Sequence, residues 1–408
     1  MTTQPGSAAV IVGGVSGSRG SRRPEDLGRL AHLAEAAWAV DGNAERAIRF
    51  AVAKGVGLPQ PGSGHTVALF DALATVAAAD LTAARVLEAH KDALAILQQA
   101  PGPASTVLTR TVPASTVPAS TVPARAVPAI AVPDSTVPAS AVRTNPASAS
   151  WGVFAAEGRG QRVDAISTPA GWRLSGRKPW CSLAGSLSHA LVTAHTTTAG
   201  AEPARRRLFA VDLVDPGITV RQDAWFATGL VEVTSGPVDF AGVAALPVGD
   251  DGWYLTRPGF SWGGIQVAAC WFGGAVGVAR HLRTAAAQRS ATGGREPDQI
   301  LLAHLGAVDL ALRGAGAALF DAAGAIDRGE AVGDAGALLA ARVRGLVART
   351  VDEVLSRVGH ALGPAPLALD ARHSRRVADL SLYIRQHHAE RDDAALGSRL
   401  VAEEAPSW

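Results

Sequence analysis

Gly171-Trp172-Arg173-Leu174-Ser175-Gly176-Arg177-Lys178-Pro179-Trp180-Cys181-Ser182 is the stretch that decides how this chain is read. Taken alone, a G-x-K-x-W string marks a surface hairpin. Here it ends in an indole, a thiol and a hydroxyl at three consecutive positions. An indole is a flat apolar surface, and a hydroxyl two residues on is a directional polar group. Such a pair gains meaning only from its surroundings.

Outward from this stretch, residues 150–250 alternate in short runs. Examples are Ala190-Leu191-Val192-Thr193-Ala194, Arg207-Leu208-Phe209-Ala210-Val211 and Gly236-Pro237-Val238-Asp239-Phe240, separated by Gly, Pro and Asp turns. They predict a small antiparallel β domain over 148–252. Upstream, Leu27, Leu30, Leu33 and Ala34, then Leu69, Leu73, Val76 and Leu81, recur at helical spacing. This predicts an N-terminal helical domain over 26–104. The breaker cluster Gly57–Thr66 inside it reads as an interhelical loop. Downstream of Arg257 the helical period returns in two long stripes, Leu301-Leu305-Val308-Leu312-Ala315-Leu319 and Val343-Val347-Val351-Val354-Val358. Four long helices with short connections predict a C-terminal four-helix bundle over 253–408.

Two segments stand outside this plan. Residues 1–25, rich in Gly, Ser and Arg, read as a flexible tail. Residues 105–147 hold a drifting Thr-Val-Pro-Ala-Ser pentapeptide with prolines at 113, 118, 123, 128, 133 and 138. A proline at every fifth position forbids a continuous helix and removes ladder donors, so an extended or disordered insertion is expected.

Composition narrows the function. The 408 residues carry a formal charge of +2, with arginines scattered instead of clustered, which gives nucleic-acid binding no support. Cys181 and Cys270 make neither a disulfide framework nor a zinc spacing, so no metal is expected and a reducing, cytoplasmic compartment is the natural reading. Pro258 to Ala279 carries no formal charge, but its many glycines favour a buried helix over a membrane span.

The order helical, β, helical bundle resembles the acyl-CoA dehydrogenase superfamily, and the opening stretch is similar to the "G-x-x-L-x-G-x-K-x-W-[IC]-[TS]" segment of its β domain. Trp151–Glu157 stands where that family has "A-x-T-E-P". Trp225–Gly229 with Val238–Val243 looks like "G-x-x-x-T-x-x-V-x-F-x-x-V". Arg289 and Gln299 approximate the arginine and glutamine of "R-x-x-F-G-x-x-I-x-x-x-Q", without the Phe-Gly pair and one residue short. The resemblance implies FAD as cofactor. Trp180 would wall the isoalloxazine ring, and Ser182 would hydrogen-bond near N5. Ala155 and Glu157 would meet the pyrimidine end, and Arg289 with Gln299 the pyrophosphate. It also implies a homodimer or homotetramer.

The family's catalytic glutamate is missing. With Asp379 aligned to the family aspartate, His387 takes the glutamate position, and Glu390 follows three residues on. A histidine takes and gives protons near neutral pH. Three functions therefore stay open. The first is an FAD-dependent dehydrogenase passing hydride from an acyl thioester, such as an acyl-CoA, to flavin N5. The second is a flavin-dependent monooxygenase, and the third a degenerate, non-catalytic member.

Overall fold

The computed structural model describes residues 9–13, 23–101, 149–196, 205–293 and 298–402. The proline-rich insertion lies outside the described residues, as do positions 1–8 and 14–22 of the segment read as a tail.

The N-terminal unit is built from α1 (Pro24–Trp38), α2 (Ala44–Gly55), α3 (Thr66–Ala79) and α4 (Leu81–Gln99). The Asp80 carboxylate accepts the Ala83 N–H at 2.8 Å and so starts α4 one residue after α3 stops. Part of the expected tail is packed instead of loose. Val10 and Val12 are buried, and their N–H groups donate to Thr75 Oγ1 at 2.9 Å and Asp71 Oδ1 at 2.8 Å. The apolar run Val10-Ile11-Val12 has enough surface to hide, which the Gly/Ser/Arg composition around it masks.

The β unit comprises β1 (Trp151–Phe154), β2 (Val163–Thr168), β3 (Gly171–Lys178), β4 (His189–Thr196), β5 (Arg205–Asp212), β6 (Ile218–Val220) and β7 (Val238–Val248). The expectation of an antiparallel domain is corrected: the sheet is mixed and barrel-like. The strands β4, β5, β7, β3 and β2 pair in turn and close on β4. Both β1 and β2 run parallel to β4, at Trp151 to His189 and at Asp164 to His195. The β1–β4 pairing spans distant sequence, and local alternation does not report strand direction. In β3, Gly176 has φ 121°, and a Cβ there would stand 2.1 Å from the Arg162 carbonyl oxygen. No other residue fits that position of the motif.

The C-terminal unit contains a short α5 (Trp253–Thr256), then α6 (Gly259–Gly293), α7 (Gln299–Asp327), α8 (Gly333–Leu362), α9 (Ala365–Leu369), α10 (Ala371–Tyr383) and α11 (Glu390–Ala402). Four long helices were expected; among the described residues three are long, and α10 has only 13 residues. The N-terminal helix α3 packs on α6 and α7, so the bundle borrows from the other end of the chain. Small residues allow this approach. A Cβ at Gly273 would lie 2.1 Å from the Ala74 carbonyl oxygen of α3, and one at Gly277 would lie 2.8 Å from that of Ala78. Both α6 and α7 are long and apolar enough to cross a membrane, but 78% of the apolar window of α6 is buried within the protein. Core packing accounts for α6. The corresponding window of α7 is only 22% buried.

Candidate functional site

A cleft opens where α4, β1 and the residues following β3 meet. Its walls are mainly apolar, from Val86, Trp151, Phe154, Leu187 and Val233, and its polar side chains are Arg85 and Ser182. The opening stretch of the sequence leads directly into it. After Lys178 the chain turns through Trp180 and Leu183, both with left-handed backbone (φ 57° and 59°). Such positions cost about 1–3 kcal/mol each and persist only where surrounding bonds fix them. Here Cys181 N–H donates to the Gly236 carbonyl at 3.1 Å and Leu183 N–H to that of Thr234 at 2.7 Å. Trp180 is 60% exposed, while Cys181 beneath it is buried with its thiol pKa raised by burial.

Ser182 is held from two sides. Arg85 Nη2 donates to its Oγ at 3.2 Å, and Ser235 Oγ lies 2.9 Å away. A serine oxygen has two lone pairs and one O–H. Ser235 has a single O–H, and its Oγ also lies 2.9 Å from the Val233 carbonyl, which can only accept. The Ser182–Ser235 contact therefore takes up the Ser182 O–H, and Ser182 meets the cleft through an oxygen backed by Arg85.

Behind Arg85 stands a buried polar cluster. Arg85 Nη1 bonds Glu88 Oε2 at 3.0 Å, and the Tyr383 hydroxyl of α10 donates to the same carboxylate at 3.1 Å. Burial pushes the Glu88 carboxyl up; Arg85 pulls it down and Asp92 pushes it further up. One turn along α4, Asp92 pairs with Arg257 at 3.4 Å, and Arg257 also bonds Gln99 Oε1 at 2.9 Å. On the same helix His90 Nδ1 accepts the Trp151 N–H at 3.3 Å, tying α4 to β1. Burial lowers the His90 pKa to about 4, so the ring is neutral.

Sequence reasoning missed Arg85, Glu88 and Tyr383. The available signal was Arg85, Glu88 and Asp92 at helical spacing inside an otherwise alanine- and leucine-rich helix.

Of the residues expected to act, Ser182 alone is among those lining this cleft; Trp180 is exposed beside it and the others lie apart. Glu157 accepts from Lys178 Nζ at 2.9 Å and lies 3.4 Å from His195 Nε2. Partial burial works against its charge, but those two hydrogen bonds hold its carboxyl below the usual range. Lys178, the lysine of the motif, is buried and also donates to Thr193 Oγ1 at 2.8 Å, bracing β3 against β4. Arg289 is exposed late in α6, and Gln299 is exposed as the first residue of α7. Neither lines the cleft.

His387 follows a short 3₁₀ turn (Ile384–Gln386) after α10. Its Nδ1 accepts the Ala389 N–H at 3.2 Å, and its Nε2 lies 3.8 Å from Asp392. The ring abuts Gly345 of α8 and is not among the residues lining the cleft. Burial lowers its pKa, with Asp392 opposing. Glu390 opens α11 and is exposed, and His388 is exposed beside Asp392. Asp379, the anchor of that alignment, is buried and accepts the Leu230 N–H; burial raises its pKa to about 6.

No protein-family model matches this sequence, and no curated protein matches it. Solved structures do match in fold. A complex of TdsC from Paenibacillus sp. A11-2 with FMN and indole has a TM-score of 0.72 at 17% identity, covering 94% of this chain and 99% of that one. TdsC is a dibenzothiophene monooxygenase. KijD3 in complex with FMN and a dTDP-amino-keto sugar has a TM-score of 0.70 at 18% identity, over 94% and 95% of the two chains. The methanesulfinate monooxygenase MsuC from Pseudomonas fluorescens has a TM-score of 0.65 at 17% identity, over 92% and 97%. The chain shares its three-part fold with these proteins.

Proposed function

We propose that this chain is a flavin-dependent oxidoreductase of the monooxygenase type, taking reduced FMN from a separate source and oxygenating a small organic substrate. Dehydrogenation of an acyl thioester with FAD is the second reading. The observation that carries the proposal is the Ser182 hydroxyl, held by Arg85 and Ser235 at the head of an apolar cleft between α4 and the β barrel. The shared fold supports it, because TdsC and KijD3 are both seen with FMN. The missing family glutamate counts against dehydrogenation.

The residues present fit a flavin ring. An isoalloxazine needs a flat apolar wall and a directional polar group; Ser182 of the cleft wall would give the second, and the exposed indole of Trp180, two residues before it, the first. An indole left 60% exposed on a left-handed backbone is costly without something to cover. When bound, the flavin would supply the two-electron chemistry. Ser182 would orient the ring through its Oγ, which Arg85 holds in place. Val86, Phe154 and Leu187 would exclude water, which strengthens each polar contact inside. Arg289 and Gln299 stay assigned to the pyrophosphate or phosphate end, and Glu157 to the pyrimidine end, on the family resemblance alone.

The same reading takes the working form as a homodimer or homotetramer. Its support is the face of α7, where Ile300 (67% exposed) and Leu310 (74% exposed) stand among Ala303, Gly306 and Ala317. An apolar helix face left open in this way is what a second copy of the chain would cover.

Titration of purified protein with FMN and FAD, followed by anaerobic mixing with an acyl-CoA panel, tests the proposal. FMN should bind, no acyl-CoA should bleach the bound oxidised flavin, and reduced FMN should be reoxidised by oxygen on the protein. Bleaching by an acyl-CoA would establish the dehydrogenase instead. Protein that takes up neither flavin would remove both readings.

A further inference from the structure

The cleft beside Ser182 is lined almost wholly by hydrocarbon, and Arg85 brings the one formal charge to its surface. The Arg85 side chain is only 16% exposed. A guanidinium withdrawn from water is costly unless it is paired, and Glu88 pairs it from behind. Glu88 is itself held by Tyr383, so the guanidinium is fixed in place before any ligand arrives. Arginine has five N–H donors. Its two hydrogen bonds, to Glu88 and Ser182, leave donors over. An arginine serving only to tie α4 inward through Glu88 has no need to reach Ser182 and the cleft wall. The remainder of the wall is apolar and includes Trp151 and Phe154, which are 2% and 1% exposed. Apolar pockets take their selectivity from a few fixed polar groups, and the planar fork of arginine matches a carboxylate or similar oxyanion.

We propose that this cleft selects a mainly apolar molecule bearing an anionic oxygen group, and that Arg85 is the residue that selects it. Calling the occupant a substrate rests on the flavoenzyme reading above; the binding preference itself does not.

Calorimetric titration of the full chain with naphthalene-2-carboxylate and with its neutral isostere naphthalene-2-carboxamide tests the proposal. A charge-assisted hydrogen bond to a fixed guanidinium should give the carboxylate about a tenfold advantage. Arg85→Gln alone would strand Glu88 as a buried unpaired charge. The diagnostic variant is therefore R85Q/E88Q, which should bind both probes equally. Arg85→Lys keeps the charge without the fork and should retain part of the preference. Equal binding of the two probes by the wild type, a preference that survives in R85Q/E88Q, or no binding of either probe overturns the proposal. So does competition between the carboxylate and FMN, which would set the guanidinium against the flavin. A separate FMN titration keeps the two readings apart. Preference without flavin uptake removes only the flavoenzyme reading, and flavin uptake without preference removes only this one.

Discussion

Arg85 crosses the seam between the N-terminal helices and the β barrel: its Nη2 donates to Ser182 Oγ at 3.2 Å while its Nη1 holds Glu88 at 3.0 Å. The hydroxyl that the motif supplies is thus positioned by a helix almost a hundred residues upstream. Ser182→Ala removes it while leaving the Arg85–Glu88 pair in place. We expect FMN affinity to fall about tenfold with little change in stability, as for the loss of one hydrogen bond. Flavin fluorescence titration reads this, and unchanged affinity would take Ser182 out of the ring contacts.

His387→Ala discriminates between two roles. A proton carrier at this position predicts a loss of about 10²–10⁴-fold in turnover with flavin affinity unchanged. The ring packs on Gly345, accepts from Ala389 N–H and stands outside the cleft wall, which favours a smaller effect. We expect less than a tenfold loss and a lowered melting temperature. Steady-state rates beside a thermal melt decide it.

His90 sets a pH dependence of stability. Its folded pKa of about 4 lies below the value near 6.5 of an unfolded histidine. Between those values the unfolded chain binds the extra proton, so this contribution is present at pH 7 and is lost as pH falls from 6.5 to 4. Its full size is about 3 kcal/mol. In His90→Asn, whose amide oxygen can still accept the Trp151 N–H, that loss should disappear. Urea unfolding of both proteins at pH 7 and pH 4.5 measures the difference. A constant gap between them would contradict the assignment.

Two glycines should respond in opposite directions to alanine. At Gly273 the added Cβ meets the Ala74 carbonyl oxygen of α3 at 2.1 Å, so α3 and α6 must separate. Overpacking of this kind costs about 1–3 kcal/mol or more. At Gly28, on the exposed side of α1, nothing lies within 4 Å of the new Cβ. Gly28→Ala should stabilise by roughly 0.5–1 kcal/mol through helix propensity. Denaturant midpoints of the two variants test the pair.

Leu310→Glu places a charge on the uncovered face of α7, where Leu310 is 74% exposed. If copies of the chain meet there, the variant should shift to a smaller species in light scattering and keep its helical content. The wild type should be a dimer or tetramer at the same concentration. A wild type that is monomeric throughout would refute the interface.

What the sequence determined by itself is what depends on local pattern. The 3.6-residue period of Leu69-Leu73-Val76 and of Val343-Val347-Val351 specifies helices, because one face of each must be buried. Gly176 and Lys178 specify the β3 segment, since only glycine fits against the Arg162 carbonyl. The three-part order was legible on these grounds. Strand direction was not, because alternation is the same for parallel and antiparallel neighbours. The cluster of Arg85, Glu88 and Tyr383 was also hidden. Its members are separated by up to 298 residues, and each alone reads as an ordinary helical side chain. Only the docking of α10 and the barrel onto α4 removes water from them and turns three separate polar groups into one fixed site.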